Sequence, residues 1–206
     1  MAISTAFDPL FRRLGGKIPV PFLRALSKRE SNQNPAEAGG SYYGLLQVGI
    51  RNVLSSYNDR RGTRYSADDL LNPQINIAVG SDLLNRIVIA LGKHPDRNLK
   101  ANWANPEFVK LMLASWNSGY SEAAGVGRVA RYLEERKIPV THDAVFQYAG
   151  AAGATRHLSN IKKRDWQRSV AALYFAQPDR PRGAIALLAV AAVLFVGWGV
   201  YRLATR

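Results

Sequence analysis

The chain contains no cysteine, which excludes disulfides, thiolate metal sites and cysteine nucleophiles. Histidine is almost as scarce. His94, His142 and His157 lie far apart and form no His-x-x-x-His pair, so the spacing that brings two imidazoles onto one helix face around a metal is missing. Neither a metal nor a cofactor is expected. Acidic side chains are few, 15 Asp and Glu against 28 Lys and Arg, for a net charge of +13. Such an excess favours a polyanionic partner: nucleic acid, an acidic membrane surface or an anionic cell envelope. The cations are scattered, no basic helix is interleaved with stacking aromatics, and no nucleic-acid motif is present. General attraction to an envelope is therefore favoured over specific nucleic-acid binding. Confident strand alternation is also lacking; only the glycine-flanked stretch 39–48 reads as a short hairpin or turn.

What the sequence does have is helical periodicity and one long apolar run. Its 206 residues, with four Trp, nine Tyr and seven Phe, suffice for one packed domain and an appendage. Phe7, Leu10, Phe11 and Leu14 share one face of a short helix. Pro21 opens a helix running to about Ser31, and Ile75, Val79, Leu83, Ile87 and Leu91 repeat every fourth residue along a longer one. Ser66 with Asp69 reads as a capping box, and Asn105-Pro106 as a cap followed by proline in the first turn. Ser121 and Thr141 read as further caps, and a last soluble helix is expected over roughly 155–175. After the polar, proline-broken segment 177–182, residues 183–201 carry no charge. As a helix at about 1.5 Å per residue they span roughly 28 Å, close to the hydrocarbon thickness of a bilayer. Trp198 and Tyr201 stand near one end, where amphipathic rings favour the interface. The expected class is all-α, in four parts: an N-terminal segment 1–20, a helical domain 21–176, a linker 177–182 and a transmembrane helix 183–203.

Within the helix ending near Ser31, Glu30 falls between Leu23 and Leu26 on the helical wheel, while Arg24 and Lys28 take the opposite, solvent side. A carboxylate that extends an apolar stripe is costly to ionise, and the negative pole of the helix end adds to that cost. A carboxylic acid kept neutral near pH 7 is what general-acid chemistry requires. The alternative is a last-turn glutamate that reaches water or pairs with Arg29 or Arg51.

Four short blocks in order strengthen the first reading. Glu30-Ser31-Asn32-Gln33-Asn34-Pro35 resembles the Glu-Ser motif of soluble lytic transglycosylases, relatives of goose-type lysozyme. Gly44-Leu45-Leu46-Gln47-Val48 resembles their Gly-Leu-Met-Gln block. Leu71-Asn72-Pro73-Gln74-Ile75-Asn76-Ile77 with Gly80 is similar to the third, and Ala114-Ser115-Trp116-Asn117-Ser118-Gly119 to the fourth, with Trp in place of the family's Tyr. The resemblance spans residues 22 to about 130. Near the domain end, Ala154-Thr155-Arg156-His157-Leu158-Ser159 keeps only the threonine of a further family motif.

The resemblance implies a lysozyme-like fold and cleavage of peptidoglycan glycan strands between N-acetylmuramic acid and N-acetylglucosamine. Glu30 is the implied acid and base, closing a 1,6-anhydro ring. Ser31 and Gln47 are implied to orient the acid or to hydrogen-bond the substrate, Trp116 to donate where the family's tyrosine hydroxyl helps place the glutamate, and Asn117 to hold a sugar acetamide. A lysozyme-type hydrolase and a non-catalytic wall-binding or assembly protein are the alternatives.

Residues 1–8 carry no early cation, and no apolar export core follows them. Basic residues crowd the domain side of the apolar run, which by the positive-inside tendency keeps the domain cytoplasmic in a cell. Delivery from outside resolves the conflict with an external substrate. The expected setting is the internal membrane of a phage virion, with the bilayer and other virion membrane proteins as partners; the bacterial inner membrane is the alternative.

Overall fold

The computed structural model describes residues 3–154, 158 and 160–182. The expected transmembrane helix 183–203, with Trp198 and Tyr201, lies outside the described residues, as do Thr155, Arg156, His157 and Ser159.

The described chain is built from helices joined by tight turns: α1 (Asp8–Leu14), α2 (Val20–Ser31), α3 (Ser55–Arg61), α4 (Pro73–Leu91), α5 (Pro106–Ser118), α6 (Gly125–Glu135), α7 (His142–Tyr148) and α8 (Ile161–Phe175). The stretch read as a hairpin forms three two-residue strands, β1 (Ala38–Gly39), β2 (Tyr42–Tyr43) and β3 (Val48–Gly49), paired antiparallel in chain order. A π-helical turn (Ile50–Leu54) leads from β3 into α3.

Helix starts rest on side-chain caps, at Asn105 and Thr141 as expected. Asn72, Asn105 and Thr141 each accept a backbone N–H at the head of α4, α5 and α7, satisfying donors that a helix start leaves without partners. Ser66 and Asp69 form the expected reciprocal bonds, but at the head of a short 3₁₀ turn (Asp68–Leu71). Ser121 does not cap; its carbonyl closes a turn onto the Ala124 N–H, and α6 starts at Gly125. The last helix begins later than residue 155, because Asn160 caps it through the Lys163 N–H.

Helix α5 is the hub of the packing, touching α4, α6, α7 and α8. Phe108, Val109, Leu111, Met112, Leu113 and Ala114 are all fully buried, so the middle of α5 is apolar over most of its circumference, as a helix packed by several neighbours must be. Each such side chain contributes about 1.5–3 kcal/mol by leaving water. Helix α4 is long and apolar enough to cross a membrane by composition, yet it packs Ile77, Val79, Leu84, Ile87 and Leu91 into the same core. Its apolar character serves the domain interior.

Arg24 departs from its expected solvent position. It is buried, donates to both Asp8 oxygens (2.7 and 2.8 Å) and to Asp179 (2.6 and 3.0 Å), and reaches Gln177 at 2.9 Å. The two carboxylates hold the guanidinium charge more firmly than usual, and Arg24 in turn keeps the Asp179 carboxyl below the ordinary range. Gln177 also donates to the Pro21 carbonyl at 2.7 Å. The segment 177–182, expected to be a linker, therefore begins as part of the domain, stapled to α2. Removing Arg24 leaves the buried Asp8 carboxylate and Gln177 amide without their partner. Arg24→Met is expected to lower unfolding stability by about 3 kcal/mol, measured by urea denaturation; a loss under about 1 kcal/mol would show that the network contributes little.

Candidate active site

The four motif blocks, scattered over about 90 residues, meet at one place. The loop between β2 and β3 is fixed first. Gly44 has φ +74°, and a Cβ there would lie 2.1 Å from the Leu70 carbonyl and 2.3 Å from Asn76 Nδ2, so only glycine fits. Asn76, fully buried on α4, accepts the Leu46 N–H at 2.8 Å and donates to the Tyr43 and Leu70 carbonyls at 2.7 and 3.0 Å. One side chain thus satisfies three backbone groups that would otherwise be buried without partners. Ser31, at the end of α2, donates its hydroxyl to the Leu45 carbonyl at 2.8 Å, which ties the Glu30 helix to this loop.

Gly80 completes the convergence. A Cβ on it would stand 2.7 Å from Leu46 Cδ1; its bareness lets the loop close on α4, next to the Trp116 ring. Trp116 then donates its indole N–H to Glu30 Oε1 at 2.7 Å.

Above this framework runs a groove of two adjoining lobes. The smaller, about 290 Å³, is lined by Glu30, Tyr42, Gln47, Trp116, Asn117 and Lys163 among others. The larger, about 580 Å³, continues past Trp116 and Asn117 to Arg51, Arg86 and Tyr120. Glu30 is the only carboxylate lining either lobe among the described residues. Asp59 lies on α3, and neither it nor the exposed Glu37 lines the groove.

Burial dominates the charge state of Glu30. Its pKa is raised to about 7, against the opposing pull of the Trp116 donor and the Lys163 and Arg29 cations. At neutral pH a large fraction of the molecules carry the acid protonated. Because Oε1 receives the indole N–H and the indole cannot accept, the acidic proton resides on Oε2. The donor-only Trp leaves that proton available for transfer.

Of the residues singled out in sequence, Glu30, Gln47, Trp116 and Asn117 line the groove together. Ser31 does not: it is 5% exposed and its hydroxyl is spent on backbone, so the role it can fill is orienting the Glu30 helix rather than touching a ligand. Sequence reasoning missed Tyr42 and Lys163. Tyr42 is 56% exposed at the groove, a large aromatic face left to water, and its place just before the Gly44 block was the available signal. Lys163 arrives from α8, and nothing local marks it out from its neighbour Lys162.

A mainly helical, lysozyme-like domain with one shielded glutamate in its groove defines the class. The family profile described as Transglycosylase SLT domain matches residues 12–139, more than half of the chain and all four blocks; the protein belongs to this family. In three dimensions it is similar to the crystal structure of the 70 kDa soluble lytic transglycosylase from Escherichia coli, with a TM-score of 0.57 and 20% sequence identity over 84% of this chain. A complex of the 70 kDa soluble lytic transglycosylase with bulgecin A gives the same TM-score, identity and coverage. The likeness is one of fold, and it spans 24% of the length of those proteins. No curated protein matches the chain.

The raised acidity constant has a stability consequence. Native Glu30 holds its proton up to about pH 7, the unfolded carboxyl only to about 4.5, so this contribution is fully present below pH 4.5 and lost as pH rises through 7. Glu30→Gln, which keeps an acceptor for Trp116 and never ionises, is expected to stabilise the fold by about 3 kcal/mol at pH 8 and by almost nothing at pH 4. Thermal melts at the two pH values test this; equal effects at both would contradict the assigned burial.

Proposed function

We propose that the protein cleaves the β-1,4 bond between N-acetylmuramic acid and N-acetylglucosamine in peptidoglycan and leaves 1,6-anhydromuramic ends. The observation that carries this reading is Glu30, a shielded carboxylic acid with no second carboxylate along the groove among the described residues. A glycosidase working with two carboxyl groups needs the second one to attack or to activate water. A single-acid site suits a substrate that supplies its own nucleophiles.

The steps balance with Glu30 alone. Its Oε2 proton passes to the glycosidic oxygen as the bond from that oxygen to muramyl C1 breaks, and the departing N-acetylglucosamine leaves as an alcohol. The muramyl acetamide oxygen closes on C1 and holds the developing positive charge. Glu30, now a carboxylate, removes the proton from the C6 hydroxyl while O6 displaces the acetamide from C1. The anhydro ring closes, and the acid is regenerated. Trp116 supports the carboxylate stage, since a hydrogen bond to an ionised acceptor is stronger than one to a neutral acid, and Lys163 supports it by charge. Tyr42 offers its exposed face to a sugar ring.

Glu30→Gln is expected to abolish clearing of purified sacculi, and mass spectrometry of wild-type digests is expected to find anhydro ends. Hydrolysed reducing ends would indicate a lysozyme-type reaction instead, and near-wild-type activity in the variant would remove Glu30 from the mechanism.

For location, we propose anchoring by residues 183–203 in the internal membrane of a phage virion, acting in local wall opening during genome entry. The uncharged run of 19 residues and the basic residues before it support this reading. The full chain is expected to stay with membranes through alkaline carbonate washing and to be present in purified virions. Its recovery from bacterial inner membranes but never from virions would favour a bacterial wall-remodelling enzyme.

A further inference from the structure

We infer that His142 and Gln167 are positioning residues, a buried relay that fixes the Asn117 amide with its NH₂ group turned to the groove. This assigns the groove a donor at that point, fit for a carbonyl oxygen such as that of a sugar acetamide. The inference rests on the carbohydrate reading of the cleft and adds to it how the groove's donor is held in place.

Three helices contribute. His142 opens α7 and is fully buried, its backbone N–H held by Glu107 of α5 at 2.7 Å. Its Nε2 lies 2.7 Å from Gln167 Oε1. Gln167, on α8 and 1% exposed, extends Nε2 to Asn117 Oδ1 at 3.0 Å. Asn117, near the end of α5, lines both lobes.

A chain of ring and amide groups can run in either direction, and turning one group over turns all of them. The other nitrogen of His142 decides the direction. Nδ1 is buried and has no hydrogen-bond partner among the described residues. The Asp143 carboxylate is 3.7 Å away, outside hydrogen-bond range, and it is engaged by Arg164 and Arg168. A proton on Nδ1 would be a buried donor without an acceptor, which folded proteins avoid more strictly than an unused lone pair. Burial also pushes the imidazolium below its ordinary pKa, so the ring is neutral at pH 7 with its single proton on Nε2. His142 then donates to Gln167, and Gln167 donates to Asn117. With Oδ1 turned to Gln167, the Asn117 NH₂ group is the end of the amide left for the groove.

Gln47 supplies the complement in the same lobe. Its Nε2 hydrogens go to the Glu37 and Gly44 carbonyls at 3.2 and 3.0 Å, which leaves Oε1 as an acceptor. An acetamide has one carbonyl to receive and one N–H to give. A donor from Asn117 and an acceptor from Gln47 match that pair.

The test is a double-mutant cycle on the full chain: Gln167→Met, which keeps the volume and breaks both links, with Asn117→Ala, singly and together, measuring KM and kcat on soluble glycan oligomers. Loss of one oriented hydrogen bond is expected to raise KM about five- to tenfold in each single variant, with kcat within about twofold. Since Gln167 acts through Asn117, the double variant is expected to be no worse than Asn117→Ala alone. Should Gln167→Met melt early, His142→Gln, which retains a donor, is expected to keep the wild-type KM, while His142→Phe raises it. An unchanged KM in Gln167→Met, or effects that multiply in the double variant, would overturn the relay while leaving the cleavage reading intact. A wild type that fails to cut sacculi would overturn that reading, and the purpose of the relay with it.

Discussion

The indole N–H of Trp116 meeting Glu30 at 2.7 Å is the contact on which the rest of the structure depends. It joins α2 to α5 at the groove, beside the point where α4 carries no side chain at residue 80 and Leu46 packs closely. It also sets two opposing influences on one carboxyl. Withdrawal from water favours the protonated acid, and a donor aimed at Oε1 favours the anion. Withdrawal is the larger effect, yet the donor keeps the ionised stage accessible. The proposed exchange of a proton out and back within one turnover would draw on both influences.

The framework around that contact is made of backbone satisfaction more than of charge. Asn76 holds the Gly44–Val48 loop by three bonds to backbone, and Ser31 joins the same loop to α2. These two polar side chains are buried for structural reasons, which is why a short motif can demand them without their touching a ligand. The charged interactions lie further out. Arg60, Arg61 and Arg86 converge on Asp82 at one flank, and Arg24 gathers Asp8 and Asp179 behind α2.

The parts of this organisation legible in the sequence are those governed by local rules. Caps at Asn105 and Thr141 could be read because a cap acts over two or three residues. The apolar stripe that carries Glu30 could be read because helical periodicity is local too. Arg24 was misplaced on the solvent face because its carboxylate partners stand 16 and 155 residues away in sequence, and no wheel diagram includes them. Ser121 has the right residue type for a cap, but the chain turns before it can start a helix. Lys163, Gln167 and His142 were passed over for a related reason. The first two lie on α8, beyond the span in which motifs recur, and His142 was weighed only as a metal ligand. Their significance arises when α8 packs against α5.

The staple between Arg24 and Asp179 has a mechanical side. Arg24 precedes Glu30 by six residues, about 9 Å along the axis of α2. The chain therefore leaves the domain from a fixed point on the same rigid rod that presents the acid, and does not swivel about a loose hinge. Force transmitted along the polypeptide from residue 182 would be borne by a guanidinium clamp before it reached the groove. The orientation of the groove relative to that exit is set by the fold itself.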